Sequence, residues 1–419
     1  MMKIGIIGMG YVGLSTAVVL ADQGNEMVCV DIDRRRLDML KQGNSPIYEE
    51  GMEEMLKKNL KRMTITDNYN DLADAGVLFI CVPTPTKEGR CDTSYVKAVA
   101  NCIKGANLKG IPVIKSTMPP TAIEEVSKAL GRIPVMNPEF LKEGTALQDT
   151  TKPDRVIIGT DNQEDFDKLK EVWSFTNAPI INTSPAEASI IKYASNSFLA
   201  TKVSFINEVA NLCECIPGCD VGIVAKGMGM DKRIGEKFLN AGPGYGGSCF
   251  PKDTEELRNL ARSIGRPMSI VDAAVSMNSK RPMEMVMKLK ELMGNVNGRR
   301  IGVLGIAFKA NTDDTRESIS IKIMEELVKE GAKVTAYDPK AKAEMKGVMQ
   351  VNTKEECIRA SEGIIIATEW DEFRGIEKAL EGKYVLDTRR ILNPGLMDPM
   401  CFSSVGMHKE TSKKAKITY

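Results

Sequence analysis

Short apolar runs alternate with amphipathic stretches over the first part of the chain. The run 4–7 is followed by a glycine and the run 27–30 by an aspartate. A helical pattern over about 12–23 separates the two runs. Comparable runs follow at 77–82, 112–116, 134–136 and 155–158. Apolar runs separated by helices are typical of a parallel sheet that helices cover on both faces. The pattern predicts a doubly wound α/β domain over residues 1–185.

Helical patterns replace the short runs from about residue 186. The stretch 186–214 contains no internal Gly or Pro, and at ~1.5 Å per residue such a helix would be about 40 Å long. Strand-like runs return at 301–304, 333–337, 363–367 and 384–386. The sequence therefore predicts an α/β protein in which two doubly wound, Rossmann-like domains are joined by a long central helix and a helical middle domain. The predicted domains are 1–185, 186–295 and 296–419.

Charge and cysteine content narrow the classes of function. The 57 Lys and Arg residues nearly balance the 56 Asp and Glu residues, which gives no reason to expect nucleic acid or an anionic membrane as a partner. No apolar run reaches the roughly 18 residues of a membrane span. A strand-like run begins at residue 3 and leaves no room for a signal peptide, so we expect a cytoplasmic protein. With one histidine and no facing Cys-x-x-Cys pairs, we expect no metal site.

A glycine-rich turn follows the first predicted strand. Gly8, Gly10 and Gly13 open a helix, where glycines allow a tight turn and a helix N-terminus attracts a pyrophosphate. Asp31 closes the second strand, where a carboxylate binds an adenosine ribose and favours NAD. Three arginines, 34–36, favour NADP instead, and a glycine turn needed only for packing is the plain alternative. On the strength of Asp31 we expect NAD.

Cys249 directly follows a glycine-rich segment, 242–248, and precedes a helix start that Pro251 and Asp253 mark. A thiol at a helix N-terminus is favoured as the nucleophilic thiolate. Asp253 lies one helical turn beyond Cys249 on the same face. The alternative is a small apolar cysteine at a helix cap, and taken alone the residues do not decide between the two.

Two further pairs are spaced four residues apart. Lys192 and Asn196 project from one face of the long helix, where they would hold an oxyanion or belong to an ordinary solvated face. Glu139 and Glu143 follow the run 134–136, where they would activate water or interact with a helix dipole as helix-start acids. Four basic residues of the last domain would meet phosphates or form surface salt bridges: Lys309, Arg316, Arg389 and Arg390.

Seven motifs together resemble the UDP-glucose/GDP-mannose dehydrogenase family. In order they are GMGYVG (8–13), STMPP (116–120), NPEFLKEG (137–144), KYASNSFLAT (192–201), DKRIG (231–235), GYGGSCFPKD (244–253) and AFKANTDDTRE (307–317). The resemblance runs from about residue 3 to about residue 392. It implies an NAD-dependent, four-electron oxidation of a nucleotide-sugar to a uronic acid, through a thiohemiacetal and a thioester on a cysteine. It also implies a homodimer formed through the central helical domain, and a role in polysaccharide biosynthesis.

The resemblance implies a role for each matching residue. The implied catalytic residues are Cys249 as nucleophile, Lys192 and Asn196 on the reacting oxygen, Asp253 beside the thiolate or a water, Glu139 as the base for hydrolysis, and Thr117 near the nicotinamide. The implied cofactor contacts are Gly8, Gly10, Tyr11, Val12, Gly13, Asp31, Arg36, Thr84, Thr117, Glu143 and Arg316. The implied substrate contacts are Glu139, Phe140, Leu141, Lys192, Asn196, Tyr245, Gly246, Lys309 and Arg389, together with Arg233, which would reach the sugar site of the neighbouring subunit.

The substrate is less tightly defined than the family. Ser248 and the residues 250–252 favour the UDP-glucose branch, whereas Pro243 departs from its commonest pattern. GDP-mannose, a UDP-2-acetamido sugar and UDP-galactose stay open. Two other classes of function compete: a single-step hydroxyacid dehydrogenase in which Cys249 is structural, and a non-catalytic protein that only binds NAD.

Overall fold

The computed structural model describes residues 1–408. The chain divides into two compact units. The first unit comprises Met1–Ser195 and Glu255–Ile264, and the second comprises Asn196–Thr254 and the residues from Gly265 onward. The division into three domains stays a prediction, and residues 409–419 of its last domain lie outside the described residues.

The first unit is built around an eight-stranded sheet and a small antiparallel hairpin, β5–β6. Its strands are β1 (Lys3–Ile7), β2 (Glu26–Val30), β3 (Met63–Thr66), β4 (Val77–Ile80), β5 (Thr86–Lys87), β6 (Arg90–Cys91), β7 (Ile111–Ile114), β8 (Val135–Met136), β9 (Val156–Gly159) and β10 (Ile180–Thr183). Its helices are α1 (Tyr11–Asp22), α2 (Arg34–Lys41), α3 (Met52–Asn59), α4 (Ser94–Gly105), α5 (Ile123–Leu130), α6 (Ala146–Thr151) and α7 (Gln163–Val172).

The eight-stranded sheet runs in the order β10-β9-β8-β7-β4-β1-β2-β3. Neighbouring strands are parallel except β8 and β9, which pair antiparallel. Alternate residues of β4 pack into two different cores, since Val77 and Phe79 join one apolar cluster and Leu78 and Ile80 join the other. Both faces of the strand are therefore buried, which explains its uninterrupted apolar sequence.

Four helices follow the first sheet: α8 (Pro185–Cys215), α9 (Val221–Gly229), α10 (Phe250–Ser263) and α11 (Ser269–Met293). The predicted long helix over 186–214 is confirmed, since α8 is a single helix of 31 residues. It begins in the first unit and continues in the second, whereas α10 begins in the second and continues in the first. Each of these helices therefore contributes side chains to both units.

The second sheet lies wholly in the second unit and is parallel throughout, in the order β13-β12-β11-β14-β15-β16. Its strands are β11 (Arg300–Leu304), β12 (Lys333–Tyr337), β13 (Val348–Gln350), β14 (Gly363–Ile366), β15 (Tyr384–Asp387) and β16 (Phe402–Ser404). Its helices are α12 (Ile319–Lys329) and α13 (Lys354–Ala360). The predicted fold class, two Rossmann-like sheets with helices between them in the chain, is confirmed.

The apolar pattern missed several strands. β3 and β10 expose part of their residues, so neither gives the continuous apolar run of a central strand. Among residues 1–408, none of the helices combines the length and the apolar character that crossing a membrane requires.

Candidate active site

Each glycine of the turn after β1 meets a different structural demand. Gly8 has a φ of +95°, and a Cβ there would lie 2.8 Å from the carbonyl oxygen of Cys81. A Cβ on Gly13 would lie 1.8 Å from the Gly8 carbonyl oxygen, so that glycine is needed for packing of α1 on the turn. A Cβ on Gly10 would meet nothing within 4 Å. Gly10 therefore leaves open space, which is what the close approach of a pyrophosphate requires.

The N-terminus of α1 faces this open space with the features of an anion site. Gly10 is the N-cap, no side chain caps the helix, and its first turn contains no acidic residue. Tyr11 and Val12 are the first two helical residues. The first-turn amides and the positive end of the helix dipole suit the pyrophosphate of a dinucleotide. These residues fit NAD.

Asp31, directly after β2, is buried and holds the turn in place. Its Oδ2 accepts hydrogen bonds from Met9 N at 2.7 Å and Arg36 Nη1 at 2.9 Å, and its Oδ1 accepts one from Asp33 N at 2.9 Å. A carboxylate offers about four acceptor positions, so capacity is left for a ribose hydroxyl. The charge of Arg36 is paired with Asp31, which weakens the case for a 2′-phosphate.

A buried ion pair lies at the carboxyl end of the first sheet. Glu139, which follows β8, accepts a hydrogen bond from Lys192 Nζ at 2.8 Å through Oε1 and one from Leu141 N at 2.6 Å through Oε2. Burial raises the pKa of Glu139, but the Lys192 charge, these two hydrogen bonds and the Lys115 charge together bring it below its usual value. Glu139 is therefore a carboxylate at neutral pH, the form that a general base requires.

The interpretation of Glu139 and Glu143 as helix-start acids is wrong. The segment 137–145 is not helical, and α6 begins only at Ala146. Gly144 explains where the helix starts, because its φ of +83° lies outside the right-handed helical region and interrupts the chain just before α6. The four-residue spacing therefore places the two carboxylates on no common helix face. Glu143 lies in a turn and is partly exposed.

Lys115 is a residue that the sequence analysis missed. It follows β7, is almost fully buried, and donates a hydrogen bond from Nζ to Asn137 Oδ1 at 3.2 Å. The ammonium lies 4.7 Å from the ring centroid of Trp173. Burial lowers the pKa of Lys115 to about 8. A lysine directly after a buried strand was the signal in the sequence, because charged side chains are seldom buried without a specific partner.

Helix α8 carries the predicted Lys192 and Asn196 one turn apart, and both side chains are buried. Asn196 Nδ2 donates to Asp253 Oδ2 at 2.6 Å, and Lys252 Nζ donates to Asp253 Oδ1 at 2.5 Å. The alternative of an ordinary solvated face is therefore wrong for both α8 residues. Each holds a carboxylate instead: Lys192 that of Glu139 in the first unit, and Asn196 that of Asp253 in the second.

Cys249 immediately precedes α10, as the sequence predicts. Its carbonyl oxygen accepts the first helical hydrogen bond, from Asp253 N at 2.9 Å. The thiol is partly exposed and lies 3.6 Å from Ser248 Oγ. A partly exposed thiol at a helix N-terminus has the surroundings of a nucleophile rather than those of an inert core cysteine.

The loops beside β4 and β7 bring Thr117 near the hairpin β5–β6. The Thr117 carbonyl oxygen accepts a hydrogen bond from Cys91 Sγ at 3.7 Å, and Cys91 N donates to Glu256 Oε2 at 2.5 Å. Thr84, at the start of the same loop, is buried. No local sequence pattern indicates this contact, because Glu256 lies 165 residues from Cys91.

The predicted substrate contacts cluster in two places. In the first unit, Cζ of the Arg155 guanidinium lies 3.9 Å from the ring centroid of Phe140. In the second unit Lys309 Nζ lies 5.4 Å from the ring centroid of Phe308, whose carbonyl oxygen accepts a hydrogen bond from Arg389 Nη2 at 3.3 Å. Lys309 and Arg389 are thus brought together at Phe308.

The other basic candidates pair with acids near them. Arg316 and Arg233 are exposed and bind Asp314 and Asp231, two residues away in each case. Arg390 Nη2 donates to Asp220 Oδ1 at 2.5 Å, which gives it a structural role on the helical segment rather than on a phosphate.

Three family models match successive parts of the chain. The NAD binding, central and UDP binding domains of the UDP-glucose/GDP-mannose dehydrogenase family match residues 2–177, 186–280 and 302–394. The chain belongs to the UDP-glucose/GDP-mannose dehydrogenase family. As a member of that family it is an NAD-dependent oxidoreductase that binds a nucleotide-sugar.

Relatives within this dehydrogenase family match almost the whole chain. UDP-glucose 6-dehydrogenase TuaD of Bacillus subtilis (strain 168) is 42% identical over 90% of this chain and 86% of its own length. A UDP-glucose 6-dehydrogenase of Rhizobium meliloti (strain 1021) is 41% identical over 90% of this chain and 91% of its own. Among solved structures, a UDP-glucose dehydrogenase from the archaeon Pyrobaculum islandicum superposes with a TM-score of 0.89 at 36% identity, covering 96% of this chain and 98% of that one.

Proposed function

We propose that this dehydrogenase oxidises UDP-glucose to UDP-glucuronate with two molecules of NAD, through covalent intermediates on Cys249. The strongest support is the pair of buried contacts made by α8, in which Lys192 holds Glu139 and Asn196 holds Asp253. Burying charged groups contributes little net stability even when they are paired, and such groups cluster at functional sites, so their arrangement favours a catalytic role. The choice of UDP-glucose follows the two bacterial relatives at 42% and 41% identity, which are UDP-glucose 6-dehydrogenases.

Each catalytic side chain has one task in the proposed reaction. NAD, held by the turn after β1 and by Asp31, would supply the hydride acceptor for both oxidations, and a water at Asp253 would take the proton of the C6 hydroxyl. Lys192 and Asn196 donate hydrogen bonds to the C6 oxygen as negative charge develops on it. The Cys249 thiolate adds to the aldehyde to give a thiohemiacetal, and loss of the second hydride leaves a thioester.

Hydrolysis completes the proposed reaction. Glu139, ionised at neutral pH, accepts a proton from water, whose oxygen attacks the thioester carbonyl. Asp253, which Asn196 and Lys252 hold in place, would orient this water, and the proton taken by Glu139 returns to the departing sulfur. The carboxylate product leaves and the free thiol returns. A covalent bond to Cys249 retains the reactive aldehyde between the two oxidations, which a dehydrogenase with only one oxidation step would not need.

The decisive experiment counts NADH formed per UDP-glucose consumed, with excess NAD, for the wild type and Cys249→Ser. We expect two NADH per sugar from the wild type and a stalled variant. Cys102→Ser is the matched control, because Cys102 is an exposed cysteine of the first unit and should leave the count unchanged. One NADH per sugar, with turnover by Cys249→Ser, would instead indicate a single-step dehydrogenase. Two NADH only from GDP-mannose or a UDP-2-acetamido sugar would change the substrate and leave the mechanism standing.

We further propose that a second copy of the chain covers an apolar stripe on α8. Phe198, Phe205 and Leu212 are 66%, 49% and 60% exposed and lie seven residues apart, so they share one face of the helix. Large apolar side chains exposed in a row mark an interaction surface. The dimer expected for the family through its central helices supplies the occupant. The exposed side chain of Arg233 would then exchange its partner Asp231 for the sugar site of the neighbouring subunit, as the family resemblance implies.

Sedimentation tests the dimer directly. At micromolar concentration we expect no substantial monomer for the wild type, and a shift to monomer for Phe205→Glu. Ile133→Glu is the control, because Ile133 is an exposed apolar residue of the first unit and lies outside the stripe. A fully active wild-type monomer would contradict the proposal.

Domain division and cellular location complete the proposal. We propose the domains 1–185, 186–295 and 296–419, supported by the segments 2–177, 186–280 and 302–394 that the three family models match. A cytoplasmic location agrees with the ten cysteines, which form no disulfide within the described residues. UDP-glucuronate made there would supply polysaccharide biosynthesis.

A further inference from the structure

The segment that leads to Cys249, residues 242–248, is called here the glycine loop. Gly244 and Gly247 have φ values of +120° and +83°, which residues other than glycine rarely adopt. A Cβ on Gly246 would lie 2.2 Å from the carbonyl oxygen of Glu317. The loop is therefore held in an uncommon, closely packed conformation, and contacts from other elements must maintain it.

Asn278 of α11 binds one residue of the glycine loop at two points. Its Oδ1 accepts a hydrogen bond from Tyr245 N at 2.8 Å, and its Nδ2 donates one to Tyr245 O at 3.0 Å. The carboxamide thus satisfies both backbone groups of Tyr245, as a neighbouring strand would in a sheet. Two bonds to one residue fix its orientation as well as its position.

Arg281 reinforces this contact from the next turn of α11. It is fully buried, and its Nη2 and Nε donate to the Gly242 carbonyl oxygen at 2.6 and 3.2 Å. Its Nη1 donates to Asn211 Oδ1 and Glu284 Oε2. The glycine loop is therefore held at both Gly242 and Tyr245 by one face of one helix.

Tyr245 transmits this position to the start of α10. Its ring packs edge-on against Phe250, with centroids 5.9 Å apart and an interplanar angle of 77°. Phe250 is the first residue of α10 and follows Cys249 directly. Whatever fixes the backbone of Tyr245 therefore restricts the place of the Cys249 thiol.

We propose that Asn278 is a positioning residue for Cys249, which it holds in attacking position through the backbone and ring of Tyr245. The proposal rests on the proposed function, in which Cys249 is the nucleophile. Asn278 does not touch the reacting atoms. It acts by limiting the movement of the glycine loop, and a displacement of about 1 Å at a nucleophile can lower a rate about 100-fold.

Two variants of Asn278 and one neighbour test the proposal. Asn278→Ala removes both bonds to Tyr245, and Asn278→Asp keeps the acceptor for Tyr245 N but replaces the donor to Tyr245 O. Ser279→Ala is the control, because Ser279 is the next residue of α11, is exposed and bonds only within its helix, to Ser276 O. The first readout is the rate at which iodoacetamide alkylates Cys249 without any nucleotide-sugar, followed by mass spectrometry of the Cys249 peptide. The second is kcat and KM with UDP-glucose, and the third is the melting temperature.

We expect Asn278→Ala to change the alkylation rate of Cys249 at least about threefold and to lower kcat about tenfold or more, because the thiol is no longer held in place. Asn278→Asp should lie between this variant and the wild type, and Ser279→Ala should match the wild type. The KM for NAD should stay within about twofold in all three, since α1 and Asp31 belong to the other unit.

A lower melting temperature with a wild-type alkylation rate and a wild-type kcat would overturn the proposal and leave Asn278 a purely structural residue. If Asn278→Ala does not fold, the same comparison on Asn278→Asp decides. Failure of the proposed function has a different signature: Cys249→Ser would still turn over, whatever the alkylation rate in the Asn278 variants.

Discussion

The first strand of each Rossmann-like sheet is followed by the same kind of turn, but the two turns serve different functions. The two regions are called here the first and the second half. Gly8 follows β1 and Gly305 follows β11, with φ values of +95° and +104°. Each glycine donates its N–H to the last carbonyl of the second strand of its sheet, Val30 O or Tyr337 O. An aspartate follows that strand in both halves: Asp31 after β2 and Asp338 after β12.

The two halves differ in structure after this turn. In the first, α1 begins at Tyr11, three residues after Gly8, so the helix N-terminus lies at the turn. In the second, α12 begins only at Ile319, fourteen residues after Gly305. The Asp338 carboxylate is also occupied by five donors of the protein itself: Ile306 N, Ala307 N, Lys340 N, Ala341 N and Trp370 Nε1. One turn is thus open to a dinucleotide and the other is closed by its own protein.

Replacing the two aspartates should give the largest contrast. Asp338→Asn turns a carboxylate that accepts five N–H groups into an amide that can accept at one oxygen only. Each buried donor left unsatisfied costs about 1–3 kcal/mol, so we expect the free energy of unfolding to fall by several kcal/mol. Denaturant unfolding measures this loss, and the KM for NAD of the folded variant should equal that of the wild type.

Asp31→Asn should also lower the free energy of unfolding, because Asp31 accepts three protein donors, but unlike Asp338→Asn it should weaken NAD binding as well. Loss of a charged acceptor for the ribose should raise the KM for NAD about tenfold or more, since a hydrogen bond to a charged group contributes about 1.5–3 kcal/mol. A rise of the same size in Asp338→Asn would mean that the second half also binds the dinucleotide, and the contrast between the halves would be lost.

A smaller effect is expected from Gly10→Ala. A methyl group at Gly10 meets no protein atom within 4 Å, and the second half already has an alanine, Ala307, at the corresponding place. The free energy of unfolding should change by less than about 0.5 kcal/mol, as for surface substitutions, while the KM for NAD rises because the methyl occupies the space of the pyrophosphate. Gly76→Ala is the control, because a Cβ there also meets nothing. Equal KM values for both variants would contradict the assignment of the pyrophosphate site.

The features that could be predicted from the sequence are those that depend on residue spacing within one helix, strand or turn. The glycine turn, the long helix α8 and the place of Cys249 before α10 all follow from local patterns, and the structure has them where they were expected. The partners of Lys192 and Asn196 lie 53 and 57 residues away, and no local pattern indicates which elements meet. For the same reason the burial of these two residues was undetermined, and Lys115 and Asn278 were missed. The catalytic roles themselves stay predictions.

A last contrast concerns a carboxylate at the carboxyl end of each sheet. Burial raises the pKa of Asp387 above its usual value, although backbone N–H groups, Leu392 N first among them, oppose the shift. Burial acts on Glu139 in the same direction, but Lys192, Leu141 N and Lys115 lower its pKa by more. The cations therefore make the difference, and removing one should move Glu139 toward the behaviour of Asp387.

Lys115→Met tests this with a side chain of similar shape and no charge. A general base works only when ionised, so the activity of the wild type is lost as the pH falls through the pKa of Glu139. Without Lys115 that pKa rises, and the acid limb of the kcat profile should move to higher pH. In the wild type Lys115 is charged throughout this range, because its own pKa is about 8. Lys97→Met removes an exposed lysine that pairs with Glu125 and should leave the limb in place. If the acid limb of Lys115→Met lies at the same pH as that of the wild type, Lys115 does not lower the pKa of Glu139. Lys192 would then be the cation that lowers it.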